Sequence, residues 1–300
     1  MIAFCHTYKT AGTSFNTILR NHYRNRHFDS PGFQHRALTP ENLKRLKWIY
    51  PNLASIIGHT IKPYAGLQQV DPDMKFYTFL RDPVARSISH VTWFLRWKAN
   101  DGIFYDDFDQ LLIDWARAAD NKNRQCRQLS REGSFEGVKK IVQENPFLFL
   151  RVEHFDRSLF LFRQWTGETN MNLAYRQRNT GADSHERIQS DHPEYLEKIR
   201  AFQRLLKQDE GKQAILLEAN REDQALHDWV EAEIWPKQIS QYQGNLDEEV
   251  VRFKADLEQN PPDLREPLIS KLQRNLVLKP LRPILLPARE PAEALSSPWL

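Results

Sequence analysis

The sequence predicts an α/β fold in which helices flank a central parallel sheet and the C-terminal half is rich in helix. Short apolar or β-prone runs at residues 2–6, 53–58, 75–80 and 147–152 are separated by segments with helical periodicity. Such alternation is typical of parallel sheets that carry helices on their faces. After residue 104 the patterns are mainly helical, so we expect helix to dominate the second half of the chain.

The helix-rich half is followed by a proline-rich end. The later helical patterns cover residues 104–119, 156–165, 192–207 and 211–242. Beyond residue 258, repeated prolines interrupt any helix. We therefore predict one domain over residues 1–257. An extended or partly disordered arm over residues 258–300 would follow it and could dock on the domain or on a second subunit.

The composition is that of an ordinary soluble globular protein. With 300 residues, 40% of them hydrophobic and 27% charged, the chain is long enough for a sizeable buried core. A formal net charge of +3 is too small to argue for nucleic-acid binding, and a basic pocket for an anion accounts for it equally well. No stretch approaches the roughly 18 uninterrupted apolar residues of a membrane span.

The N-terminus and the two cysteines bear on the compartment. No basic-then-apolar leader precedes the first motif, so we expect the N-terminus to belong to the fold. Cys5 and Cys126 lack the spacing of metal ligands, and we expect them to be buried, reduced thiols. These features predict a cytoplasmic protein.

The first phosphate motif, Lys9-Thr10-Ala11-Gly12-Thr13-Ser14, follows the first predicted strand and opens a helix with one apolar face. The start of a helix offers unpaired N–H groups and a positive dipole end to an anion. Gly12 permits close backbone approach, the hydroxyl groups add donors, and Lys9 adds a charge. In the P-loop of NTPases the lysine follows the glycine, whereas here it precedes it. An ordinary capped helix start with a solvated Lys9 is the alternative.

The second phosphate motif runs from Arg81 to Ser89 and follows the strand predicted at residues 75–80. Asp82 and the proline after it are a favourable N-cap and first helical residue. Arg81 at the strand end and Ser89 two turns into the helix would then reach one phosphate. The alternative is that Arg81 pairs with an acid and that Arg86 is simply solvated.

His59 lies between the two motifs in the chain and directly follows the apolar run at residues 53–58. Ligands of open α/β sheets bind at the carboxyl ends of the strands, where both motifs and His59 are predicted to lie. Imidazole, with an unperturbed pKa of about 6.5, suits removal of a proton from a hydroxyl group. A structural strand-end histidine is the alternative. Together the motifs predict a nucleotide with phosphates at two positions.

These residues resemble the sulfotransferases that use 3′-phosphoadenosine-5′-phosphosulfate (PAPS), particularly the carbohydrate branch that includes heparan sulfate 2-O-sulfotransferase and related bacterial proteins. The resemblance covers residues 2–245. It implies a P-loop-like three-layer fold, with the first motif holding the 5′-phosphosulfate. It also implies that Arg81 and Ser89 hold the 3′-phosphate and that His59, in a Gly-His pair, is the catalytic base.

Weaker similarities lie at residues 123–130 and 151–156 and at Arg178-Asn179-Thr180, which falls where related enzymes have a loop that closes on the nucleotide. Two residues depart from the pattern of the family. Tyr8 occupies a position where members often carry proline, and Ile57 replaces a second histidine of the animal 2-O-sulfotransferases. The nucleotide-binding residues implied by the resemblance are Lys9, Thr10, Ala11, Gly12, Thr13, Ser14, Arg81, Ser89, Arg178 and Thr180.

The expected reaction is direct transfer of a sulfuryl group from PAPS to an acceptor hydroxyl, with adenosine 3′,5′-bisphosphate as the product. His59 would remove the hydroxyl proton, and Lys9 would stabilise charge on the departing phosphate. Glu153 is the next candidate for the base. No metal is expected. The acceptor is expected to be a carbohydrate or another molecule that carries a hydroxyl group.

Two other classes of protein remain open at this point. A P-loop nucleotide kinase needs a Walker-type lysine and a Mg²⁺-binding acid, and a non-catalytic nucleotide-binding module would use the proline-rich arm for a partner. The later aromatic residues allow two interpretations as well, because they suit either a sugar-stacking platform or core packing. They are Trp93, Trp97, Trp115 and Tyr105.

Overall fold

The computed structural model describes residues 1–30, 37–175 and 192–260, together with Leu276. Its centre is a five-stranded sheet in the order β2-β3-β1-β4-β5, and every neighbouring pair of strands is parallel. The strands are β1 (Ile2–Cys5), β2 (His27–Asp29), β3 (Ser55–Gly58), β4 (Lys75–Leu80) and β5 (Phe147–Arg151). The predicted α/β class with a parallel sheet is confirmed.

Helices connect the strands and dominate the second half of the chain. They are α1 (Gly12–Tyr23), α2 (Pro40–Ile49), α3 (Pro83–Asn100), α4 (Phe108–Arg117), α5 (Arg124–Leu129), α6 (Phe135–Glu144), α7 (Phe155–Thr166), α8 (Pro193–Gln208), α9 (Glu210–Glu218), α10 (Arg221–Trp229), α11 (Trp235–Ser240) and α12 (Leu246–Gln259). A π-helical turn, Val230–Ile234, joins α10 to α11. None of the helices in the described ranges is long and apolar enough to cross a membrane.

Alternating side chains along the strands build a core on each face of the sheet. On β1, Ala3 and Cys5 face a cluster that includes residues of α2, α5, α6 and α10. Ile2 and Phe4 face the opposite cluster, formed with α1, α7, α11 and α12. The sheet is therefore the middle of three layers. A further apolar cluster, formed by α3, α4, α8 and α9, makes a helical unit of its own.

The structure corrects two expectations about the elements. β2 was not predicted, because its three residues, His27–Asp29, include two polar side chains and form no apolar run. The single helix predicted over residues 211–242 is interrupted at Asn220, whose non-helical φ of −129° and ψ of 34° separate α9 from α10, and again by the π-helical turn. Apart from residues 258–260 and Leu276, the predicted arm lies outside the described residues.

Candidate functional site

A cleft of about 820 Å³ lies at the carboxyl ends of the central strands. Both phosphate motifs and His59 open into it. The predicted site residues that line the cleft are Lys9, Ala11, Gly12, Thr13, Ser14, His59, Arg81 and Ser89. The two motifs and the histidine, which are distant in sequence, therefore share one solvent-filled space.

The first motif presents backbone rather than a side-chain cap at the start of α1. Ala11, at the N-cap, is left-handed, with φ 58° and ψ 15°, and its methyl group cannot cap the helix. Lys9 also has a positive φ, 68°. Such conformations cost about 1–3 kcal/mol each in non-glycine residues and are found mainly at functional sites. The loop thus aims the N-terminus of α1 at the cleft, which is the arrangement that binds anions.

Thr10 has a different place from the one its motif suggests. Its side chain is fully buried, and its hydroxyl donates to the Thr7 carbonyl at 2.9 Å. That hydrogen is used to hold the loop, so the hydroxyl of Thr10 is not a donor to a ligand in this conformation.

His6 is a cleft residue that the sequence analysis missed. A Cβ added to Gly12 would lie 2.0 Å from His6 Nε2, so the imidazole occupies the space that any larger residue at position 12 would need. His6 and His59 directly follow β1 and β3, whose register pairs Cys5 with Gly58. Knowledge of which strands are neighbours would have predicted that the two imidazoles meet.

The second motif is tied to the first by its arginine. Arg81 Nη1 donates to the Lys9 carbonyl at 3.2 Å. The amide of Gln125 holds the Arg81 backbone from the other side: it accepts from Arg81 N at 2.9 Å and donates to Arg81 O at 2.9 Å. Asp223 in turn accepts from the backbone N–H of Gln125 at 3.0 Å. The position of Arg81 is therefore fixed at both its backbone and its side chain.

The start of α3 agrees with its prediction. Asp82 accepts from Ala85 N at 2.7 Å as the N-cap, and Pro83 is the first helical residue. Ser89 lies farther along α3, at the wall of the cleft. Glu153 also belongs to this helix start, because its Oε1 accepts from Asp82 N at 2.7 Å. Glu153 is not among the residues that line the cleft, whereas His59 is one of them.

The expectation that Arg86 is solvated, in the alternative interpretation of the second motif, is wrong. Arg86 is fully buried, and its Nη2 donates to Asn220 Oδ1 at 3.1 Å and to Ser87 Oγ at 3.2 Å. The nearby carboxylate of Asp223 partly offsets the lowering of the Arg86 pKa by burial. Arg86 therefore joins α3 to α10 and lies inside the protein rather than on its surface.

His59 is held in one tautomer. Its Nδ1 lies 2.8 Å from the His6 carbonyl oxygen, and because a carbonyl only accepts, Nδ1 carries the hydrogen. The lone pair is then on Nε2. Burial lowers the pKa of His59 to about 4, with Lys62 and Arg124 adding to the effect. The imidazole is neutral at pH 7 and able to accept a proton.

The cations around the cleft repel one another. Burial lowers the pKa of Lys9 to about 8, and the nearby charges of Arg81 and Arg96 contribute. Burial also lowers the pKa of Arg81, and the nearby carboxylates of Glu153 and Asp82 partly offset this effect. A bound anion would relieve both the repulsion and the lost solvation. The electrostatics of the cleft are therefore suited to an anionic ligand.

The helical unit supplies another part of the cleft wall, and Val152, Phe155 and Tyr175 line the cleft as well. Trp93 lines it, together with Gln203, Lys207 and Gln213. Trp93 stacks on Trp97 with ring centroids 5.8 Å apart. Trp115 is completely buried in the helical core, so the core-packing interpretation is correct for that residue.

Arg178 and Thr180 lie outside the described residues. Within the described ranges, no group of three or more His, Cys, Asp or Glu residues is arranged to hold a metal ion. A scan against protein-family models found no match, and a search of curated proteins found none either. The site is therefore interpreted from its own geometry and chemistry.

Proposed function

We propose that this chain is a PAPS-dependent O-sulfotransferase that transfers a sulfuryl group to a hydroxyl of a carbohydrate acceptor. The observation that carries the proposal is the meeting of both phosphate motifs and His59 in one cleft, with Arg81 bonded to the backbone of Lys9. An anion site with two separate cationic motifs suits a nucleotide that carries phosphates at both its 5′ and 3′ positions.

The two motifs would divide the donor between them. The N-terminus of α1, with the side chain of Lys9, would hold the 5′-phosphosulfate. Arg81 and Ser89, which line the same cleft, would hold the 3′-phosphate. Arg81 reaches toward the first motif through its bond to the Lys9 carbonyl, so the two phosphate positions are set relative to each other by one side chain.

The proposed chemical step begins at His59. Its Nε2 accepts the proton of the acceptor hydroxyl as that oxygen forms a bond to sulfur. The bond between sulfur and the bridging oxygen of the 5′-phosphate breaks, and that oxygen keeps the electron pair. Lys9 and the backbone N–H groups at the start of α1 stabilise the charge on the departing phosphate. A donor aimed at developing charge contributes about 3–4 kcal/mol in other enzymes.

His59 has a pKa of about 4, and we expect the bound donor to raise this pKa. A base with a pKa of about 4 is weak, but an anionic nucleotide in the cleft adds negative charge beside the imidazole. Opposite charge favours the protonated form. We therefore expect the pKa of His59 to rise when the cleft is filled, which would bring it closer to the working pH.

The test compares ligands by thermal stabilisation. Adenosine 3′,5′-bisphosphate at 100 times its dissociation constant adds about 2.7 kcal/mol to the free energy of unfolding, whereas AMP at the same concentration should add much less. Stabilisation by ATP–Mg²⁺ without stabilisation by the bisphosphate would instead favour a nucleotide kinase.

Turnover is tested separately. Transfer of labelled sulfate from PAPS to a panel of oligosaccharides should depend on His59. Tight bisphosphate binding without transfer to any acceptor, sugar or otherwise, would favour a non-catalytic nucleotide-binding module.

A further inference from the structure

The rings of Tyr8 and His6 stack on the imidazole of His59 and cover both of its faces. The Tyr8 ring is stacked on one face, with centroids 3.6 Å apart and an interplanar angle of 18°. The His6 ring is stacked at 4.4 Å and 25°. A hydrogen bond to the His6 carbonyl occupies Nδ1. The edge that carries Nε2 is the part of the ring left for a substrate in the cleft.

We propose that Tyr8 is a positioning residue for His59: its ring holds the imidazole so that Nε2 meets the acceptor hydroxyl in the plane of the ring. The inference rests on the proposed sulfotransferase function, since it assigns the role of base to His59. It goes beyond that function by naming the side chain that orients the base.

Tyr8 can orient His59 because contacts with Arg124 and His90 hold the Tyr8 ring in place. The guanidinium carbon of Arg124 lies 5.3 Å from the centroid of the Tyr8 ring, a distance typical of a cation–π interaction. His90 is nearly parallel to the same ring, at 5.9 Å and 11°. Arg124 comes from α5 and His90 from α3. The ring of Tyr8 therefore contacts His59 and is itself held by residues of two helices, α3 and α5.

A flat ring does what an aliphatic side chain would not. A strand-end imidazole can rotate about its side-chain bonds, and fixing such a side chain has a cost in conformational entropy. Face-to-face contact with Tyr8 supplies that order before substrate arrives. Rotation of the imidazole would tilt Nε2 away from the acceptor, and small misplacements of reacting groups lose large factors in rate.

The ionisable groups that face His59 are mostly basic and come from several elements. They are His6 and Tyr8 beside β1, Lys62 in the loop after β3, His90 on α3 and Arg124 on α5. Burial is the largest cause of the low pKa of His59, and the Tyr8 ring supplies part of that burial. Removing the ring should let water reach the imidazole, so its pKa should move up toward 6.5, the ordinary value for histidine.

The experiment uses the full-length chain with Tyr8→Phe and Tyr8→Leu. Tyr64→Leu is the matched control, since Tyr64 lies in the loop after His59 and hydrogen-bonds Arg127 rather than the base. We expect Tyr8→Leu to lower kcat by about 10–100-fold. The KM for PAPS and the affinity for adenosine 3′,5′-bisphosphate should stay within about threefold of wild type. Tyr8→Phe keeps the ring and should retain kcat within about threefold, as should the control.

Nitrogen NMR of His59 gives a readout that does not depend on turnover. Wild type and Tyr8→Phe should show hydrogen on Nδ1 and a strongly depressed pKa. Tyr8→Leu should show a higher pKa for His59 and an acid limb of the pH–rate profile moved to higher pH.

Three results would overturn the proposal. In the first, Tyr8→Leu keeps wild-type kcat and the same His59 spectrum. In the second, Tyr8→Leu loses bisphosphate binding together with kcat, which indicates a merely structural role. In the third, Tyr8→Phe is as defective as Tyr8→Leu, which assigns the effect to the hydroxyl group. If Tyr8→Leu does not fold, the third result decides: a Tyr8→Phe variant that folds but loses both kcat and the depressed His59 pKa would overturn the proposal.

The proposed function can fail separately. If no form of the protein transfers sulfate, the NMR comparison still decides whether Tyr8 orders His59, while the loss of a reaction falls on the proposed function alone.

Discussion

The two phosphate motifs both join a strand to a helix, yet the two helices start in opposite ways. α1 begins after a left-handed Ala11 that provides no side-chain cap. α3 begins with Asp82 on Ala85 N and with Glu153 on Asp82 N. The carboxylates of Asp82 and Glu153 already accept hydrogen bonds at the N-terminus of α3, which disfavours binding of a further anion there. An anion at the second motif must be bound by side chains, whereas the first motif can bind through backbone.

The difference explains why each motif has its particular residues. At the first motif, glycine is required at position 12 because the His6 imidazole occupies the space where a side chain would begin. A site made from side chains needs them to be fixed, and Gln125 fixes Arg81 through two hydrogen bonds to its backbone. Four predictions test whether the first motif binds through backbone and the second through side chains. The first concerns His59, which belongs to neither motif.

His59→Ala should lower kcat by about 10²–10⁴-fold, the usual contribution of a general base. Binding of adenosine 3′,5′-bisphosphate should be almost unchanged, because neither motif is altered. Steady-state kinetics and calorimetry on the same preparation check both statements. Turnover near the wild-type value with intact binding would remove His59 as the base.

Arg81→Ala should weaken binding of adenosine 3′,5′-bisphosphate by about 10–100-fold, since hydrogen bonds to charged groups contribute about 1.5–3 kcal/mol. AMP, which lacks the 3′-phosphate, should lose much less. Titration calorimetry with the two nucleotides measures the ratio. Equal losses for both would show that Arg81 does not distinguish the two phosphate positions.

Gly12→Ala should reduce bisphosphate affinity by about tenfold and destabilise the fold by about 1–3 kcal/mol, because the new methyl group collides with His6. Gly211→Ala is the control, since its nearest neighbour would be a carboxylate oxygen of Asp209 at 3.2 Å, the end of a side chain that can move. Denaturant melts and calorimetry separate the two effects. An unchanged affinity in Gly12→Ala would argue against backbone binding at the first motif.

The pH dependence of binding gives the smallest effect. Burial holds the pKa of Lys9 at about 8; a bound anion would raise this pKa, so the proposed nucleotide should prefer the protonated lysine. Affinity should be constant with respect to Lys9 below pH 8 and should fall by at most about tenfold per pH unit above it. Lys9→Arg stays charged and should flatten the curve. If the curve persists, Lys62, whose pKa is also about 8, becomes the candidate, and Lys62→Arg tests it.

The sequence predicts the sheet, the motif positions and the strand-end location of His59, because each depends on local patterns. His6 and Gln125 could not be assigned in that way. The contact between His6 and His59 depends on β1 and β3 being neighbours, and Gln125 reaches Arg81 across 44 positions of sequence. Such pairings follow from topology rather than from periodicity.

Arg86 shows a different limit. A helical wheel assumes that one face of a helix is buried and the other is wet. α3 packs on the helical core through residues such as Val91, while Arg86 on another face meets Asn220 of the chain leading into α10. Because α3 is enclosed on more than one side, a charged residue that lies off its apolar stripe can still be interior.

The bond from Arg81 to the Lys9 carbonyl has a further consequence. In the proposed complex, this bond would fix the distance between the two phosphate positions. A site with this fixed spacing would select ligands by the distance between their two phosphates as well as by their charge. Isomers with the same two phosphates at a different spacing, such as adenosine 2′,5′-bisphosphate, carry equal charge but should fit the cleft less well.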